Sequence, residues 1–250
     1  MPRPQAGDAR GRREWLVPTL LLLLAAVPVT GGIYRVLHLG LGGEATPANQ
    51  RFFDAPVPIV LHGVACTLFA VLGAFQFTKG ARRKPQRHRL RGMLFVPSAL
   101  VVAVTGLWME ATYDLPAHDG ELLSVFRALF GTAMLGTTLL GVRALVRRDF
   151  RRHGAWMMRT YAIGMGAGTQ VLVFLPWALL VGPADVTQRA WLMCAGWGIN
   201  VAFVEWVLRR REQRGARTSS GGPSILRPAS HTLQSAAIPS GHRAHAEHRL

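Results

Sequence analysis

His62, His88 and His153 are the residues of this chain best placed for cofactor chemistry. Each stands inside or at the mouth of a long apolar run, where a ligand could be, with His88 and His153 embedded in Arg-rich sequence close to water. His88 and His153 lead into two different runs from the same end, and a six-coordinate b-type haem needs two imidazoles at equal depth on facing helices. These two are the candidate iron ligands of a haem b. His62 lies inside the opposite end of its run and could be matched by His118 in the same manner. A simpler role competes at every position: an interfacial histidine contacts lipid phosphates or caps a helix end. Haem would make the protein an electron carrier and would call for a redox partner in the membrane.

Gln76, Arg159, Asn200 and Glu205 form a second polar set toward the end that carries His88 and His153. Polar side chains at membrane depth are costly, so each must be partnered or functional. Arg159 and Glu205 fall at similar depth on consecutive runs. An ion pair between them is the first expectation, and separate snorkelling to the interface is the alternative. Gly164 and Gly168, with Gly166 between them, and Gly196 and Gly198 just before Asn200, allow helix backbones to approach closely. They equally leave room for a flat cofactor.

Six apolar runs must position these groups: 15–34, 56–78, 92–109, 122–142, 155–181 and 190–208. Among charged residues and histidines, only His62, Arg127, Arg159 and Glu205 interrupt them. At 1.5 Å per residue, runs of roughly 18 to 27 residues cross a hydrocarbon layer of about 30 Å. They must be helices, because lipid offers backbone amides no partner. Trp15, Trp108, Trp156, Trp177, Trp191 and Trp206 fall near the ends, as an interfacial aromatic belt requires, while Trp197 lies deeper.

The formal charge of +16 on 250 residues, half of them hydrophobic, invites a nucleic-acid reading. Its placement argues otherwise. Twenty-one Lys and Arg lie in the N-terminal flank, the loops 79–91 and 143–152, and the segment 209–217; the opposite connections hold only Arg35, Arg51 and Arg189. That asymmetry is the signature of the positive-inside rule, so both termini are expected in the cytoplasm of a bacterium, with the chain in its inner membrane. No zinc spacing, nucleotide loop, zinc-protease helix or nucleophile elbow accompanies the charge, so neither nucleic-acid binding nor catalysis of a soluble type is supported. Cys66 and Cys194 sit in apolar runs and read as free, packed thiols.

The expected fold is all-α: a six-helix transmembrane bundle. Residues 1–14 form a basic cytoplasmic N-terminus, 15–37 the first helix, 55–210 a five-helix core domain and 211–250 a disordered cytoplasmic tail. The first run could instead be a secretory signal peptide, which would leave five helices in the same orientation. The tail histidines His231, His242, His245 and His248 lack ligand spacing.

The stretch from His62 to Trp206 resembles a bacterial membrane-protein family, domain of unknown function 2306. The matching features are His62, then Gly73 to Phe77, His88-Arg89 with Gly92, and His153 with Trp156, Met157, Arg159, Tyr161 and Ala162. Trp197, Asn200, Glu205 and Trp206 complete them. The resemblance implies a multi-helix membrane domain and points to His62, His88, His153, Arg159, Asn200 and Glu205 as its polar set. It supplies no activity, and it aligns no histidine with His118. A looser likeness to cytochrome b561-like proteins, whose four-helix core ligates two haems, supports the haem expectation. The alternative function is non-enzymatic: a transport, lipid-binding or membrane-complex assembly subunit.

Overall fold

The computed structural model describes residues 6–76, 85–114, 116 and 118–220, with side chains from residue 15 to 216. Lys79, Arg82, Arg83 and Lys84 of the basic loop, Phe77, Arg3 and the four tail histidines lie outside the described residues. The chain divides into two units, Met1–Glu212 and Gln213–Leu250. Of the second, only the helical residues up to Ser220 are described.

Among the described residues the protein is all-helical, with 87% of them in helices and none in a strand. The elements are α1 (Ala6–Gly40), α2 (Gln50–Asp54), α3 (Pro56–Gln76), α4 (Pro85–Thr112), α5 (Glu121–Val146), α6 (Phe150–Gly164), α7 (Gly166–Leu180) and α8 (Val186–Ser220). Among the described residues five helices are each long and apolar enough to cross a membrane, and there are six spans when α6 and α7, bent by 41° at their break, are counted as one. The sequence reads that span as one helix. It breaks because Gly164-Met165-Gly166-Ala167-Gly168 is poor in helix-stabilising side chains and sits where neighbours press closest. A Cβ on Gly164 would strike Phe69, one on Gly166 the Trp197 indole, and one on Gly168 the Leu24 carbonyl.

Two other boundaries differ from expectation. α1 begins at Ala6 and runs on to Gly40, and Arg35 within it holds its guanidinium 4.2 Å above the Phe52 ring. α8 passes residue 210 and reaches Ser220, because Arg, Glu and Gln from 209 to 214 are strong helix formers that need no apolar face.

In lipid an apolar side chain gains little by moving against another, so close packing and hydrogen bonds hold such a bundle. α3 packs between α1 and α4, α4 against α5, and α5 against α6, while α7 returns to α1. The core is aromatic at its centre: Phe69 stacks on Phe95 at 4.9 Å and meets Tyr161 at 5.3 Å. Tyr161 lies over Gly73 and donates its hydroxyl to the Ala70 carbonyl at 3.0 Å. Between α5 and α6, Thr160 donates to Thr137 at 3.0 Å, and Gly141 admits Met157 and Trp156. These helices meet in a tight reversal. Arg148 adopts a left-handed φ of 59°, and the amides of Arg148 and Asp149 return to the Leu145 and Ala144 carbonyls. The Asp149 carboxylate then caps α6 through the Arg152 amide at 3.0 Å.

Candidate functional site

The residues singled out in the sequence fall at both ends and in the middle of the bundle. At the arginine-rich end, Gln76 closes α3 and gives its amide hydrogens to the His88 carbonyl at 3.2 Å, with His88 Nε2 at 3.5 Å. His153 opens α6 and bonds through Nδ1 to the Gly141 carbonyl at 2.9 Å. The two imidazoles are thus engaged by different elements, α3 and α5. Arg159 and Glu205 are brought together in a two-pronged pair, Nε to Oε1 at 2.5 Å and Nη2 to Oε2 at 3.0 Å. The guanidinium also covers the Trp156 ring at 4.7 Å, which shields one face of the charge. Each side chain keeps about a third of its surface accessible (27% and 32%), as the interfacial depth of both residues requires.

Asn200 serves the broken span. Across the break the helical ladder is carried by the Met165 amide to the Tyr161 carbonyl and by the Gly168 and Thr169 amides to the Met165 carbonyl. The Ala162 carbonyl accepts from Asn200 Nδ2 at 3.0 Å, and Thr169 donates to Asn200 Oδ1 at 2.8 Å. One amide on α8 therefore bonds both sides of the α6–α7 break. Gln170 secures the same pair of helices from α7, donating to the Met193 carbonyl at 3.0 Å.

Beside that break lies a cavity of about 440 Å³. Its walls come from five spans: Ile59, His62 and Cys66 of α3; Val102, Ala103 and Met109 of α4; Phe130 and Met134 of α5; Ile163, Gly164 and Ala167 at the bend; and Trp197 of α8. Ligand pockets are commonly of this size and lining, mainly apolar with a few polar groups. The deep polar group is His62. The Thr105 hydroxyl gives its hydrogen to the Val101 carbonyl at 2.5 Å, so it can only accept from His62 Nδ1 at 2.9 Å. The proton therefore sits on Nδ1, and Nε2 is left as a hydrogen-bond acceptor in the cavity wall.

The rim of the cavity at the end away from the arginine-rich loops is charged. Asp119, with only 2% of its side chain accessible, accepts from Arg127 Nη2 at 2.5 Å and Arg189 Nε at 2.7 Å. Burial alone would raise the Asp119 pKa; hydrogen bonds from Arg189 and Arg127 outweigh it and hold the carboxyl below its ordinary value. Glu110 stands 3.8 Å from Arg127 and accepts from Ser124. Phe52 of the short α2 is clasped by Arg35 and Arg51 and meets Tyr113 edge-on at 5.5 Å. His118 is 66% exposed, with Nε2 3.8 Å from Asp119.

Asp119 and the cavity were not singled out by the sequence. Asp119 reads as one acid among several in a polar loop. The signal that finds it is Arg127, an arginine inside an apolar run, which demands a carboxylate partner near its own end. The cavity leaves no mark because its walls are the same alanines, methionines and valines that fill a core. No group of three or more metal-ligating side chains occurs among the described residues.

Neither the curated proteins nor the solved structures contain a match to this chain. One family profile does match, over residues 59–208, which runs from within α3 to within α8 and takes in the bend, both ion-pair networks and the cavity wall apart from Arg51 and Phe52. The chain belongs to the family described as "Predicted membrane protein (DUF2306)".

Proposed function

We propose that the protein is a non-enzymatic binding protein of the bacterial inner membrane that holds a small, largely apolar molecule in its central cavity. The observation that carries this reading is the 440 Å³ space itself, walled by apolar side chains from five spans and offering the acceptor nitrogen of His62. The wall carries Arg51 and Arg127 together with Glu110, Asp114 and Asp119, and Arg189 from α8 balances the third acid, so the formal charges cancel and the surroundings favour a neutral ligand. With the arginine-rich end in the cytoplasm, both termini lie inside and the charged rim faces the opposite surface. Native mass spectrometry of the protein released from lipid nanodiscs tests the reading. Wild type should carry a bound small molecule that Ala103→Phe, which fills the cavity, does not; a bare chain in both would remove it.

A haem b between His88 and His153 has less behind it. The Nδ1–H of His153 toward the Gly141 carbonyl is the orientation that frees Nε2 for a metal. Against it, the Gln76 amide occupies both the ring and the carbonyl of His88, and neither the central cavity nor the groove between α7 and α8 is lined by either ring. Protein purified from haem-replete cells should show no Soret band. A band lost in His88→Ala and in His153→Ala would reverse the preference and restore an electron-transfer role with a membrane redox partner.

A further inference from the structure

A second hollow adjoins the central cavity. It is a groove of about 430 Å³ between α7 and α8, lined by Gln170, Val171, Phe174, Leu175, Ala178 and Met193 together with Ala167 and Arg189. Ala167 also lines the central cavity and is itself exposed, so one alanine forms the wall common to both spaces. The two are joined a second time at the rim. Arg189 belongs to the groove and Asp119 to the cavity, and they share a 2.7 Å ion pair. The groove lies along two membrane-spanning helices whose outward faces carry Leu172, Leu175, Leu179, Trp191 and Ile199 exposed. What lies against such a surface in a bilayer is a hydrocarbon chain.

We infer that cavity and groove are one site for a single-chain amphiphile with a neutral, hydroxyl-bearing head. The head occupies the central cavity and donates to His62 Nε2; the tail passes Ala167 and lies in the groove between α7 and α8, in contact with the bilayer. Three observations converge on this. The tautomer of His62 fixed by Thr105 offers an acceptor at Nε2, which a hydroxyl can use and a bare hydrocarbon cannot. The lining charges, Arg51, Arg127 and Arg189 against Glu110, Asp114 and Asp119, sum to zero, which favours a neutral head. The smallest side chain on the partition, Ala167, follows the glycine-rich bend at the start of α7, where the span turns aside from the axis of α6.

This inference rests on the cavity being a ligand site, and the test separates the two. Full-length protein in phosphatidylcholine nanodiscs is irradiated with a monoacylglycerol whose acyl chain ends in a diazirine. Labelling should concentrate on peptides covering 167–178 and 189–193, exceed that on the lipid-exposed face of α1, and be competed by monooleoylglycerol but not by octadecane. Ala167→Trp, which closes the partition, should lower it about tenfold, the factor that ~1.4 kcal/mol of lost binding gives. Ala178→Trp, on the exposed far end of the groove where folding is not at stake, should do the same. Labelling confined to the cavity peptides 59–66 and 102–109 would overturn the tail placement and leave the cavity as a binding site. Labelling no stronger than on α1, unaffected by either tryptophan, would overturn both.

Discussion

Asn200 of α8 donates to the carbonyl of Ala162, three residues before the bend that divides the fifth span, and accepts from Thr169, four residues after it. A single side chain thereby closes a gap in the hydrogen-bond ladder of another helix. Within lipid, where water cannot serve, that is the requirement for an interrupted span.

Asn200→Leu should therefore cost ~1–2 kcal/mol, the upper range for an interhelical hydrogen bond in a membrane protein. It should also raise amide hydrogen exchange at 164–169 relative to the rest of α6 and α7. Asn200→Ala with unchanged exchange across the bend would show that the glycines alone fix it.

Arg159→Ala and Glu205→Ala should each destabilise by ~1–3 kcal/mol, between the values for exposed and buried pairs because both groups are about a third accessible. The double variant should fall short of the sum by about 1 kcal/mol. Thermal unfolding in detergent measures the cycle; additive losses would mean that the two charges act independently.

Acid should leave the rim intact further than it leaves ordinary carboxylates. Because the folded pKa of Asp119 lies below its unfolded value of about 3.9, its contribution is complete above that pH and is lost as pH falls through the lower folded value. Limited proteolysis of the α4–α5 connection, followed from about pH 7 to about pH 3, should show protection lost only at the bottom of the range in wild type. Asp119→Asn should be cut more readily throughout and show little pH dependence there.

Gly73→Ala should destabilise by ~1–3 kcal/mol, since its Cβ would meet the Tyr161 ring, itself held by Phe69, Phe95 and the Ala70 carbonyl. Gly136→Ala, where a Cβ meets open space, should be neutral or mildly stabilising. The two melting temperatures decide whether close approach or merely composition explains the glycines.

What the sequence discloses follows from what lipid enforces. Long apolar runs declare themselves as spans, and Arg159 and Glu205 can be matched by depth because each charge needs a partner. The break at Met165 is hidden, since glycine-rich apolar sequence serves equally for close packing and for bending. His62 is visible as a histidine inside a span, but its cavity depends on how Met134, Val102 and Trp197 fail to meet, and residue types do not encode that. Asp119 is concealed for the opposite reason: polar loops read as solvated, and only its pairing with Arg127 and Arg189 buries it.

The splint at Asn200 sets an order on biogenesis. α8 follows the bend in the chain, so until the last span is in place the Ala162 carbonyl and the Thr169 hydroxyl lack their native partner, and Asp119 holds one arginine instead of two. A copy cut short before residue 189 lacks both the amide that splints the bend and the second arginine on Asp119.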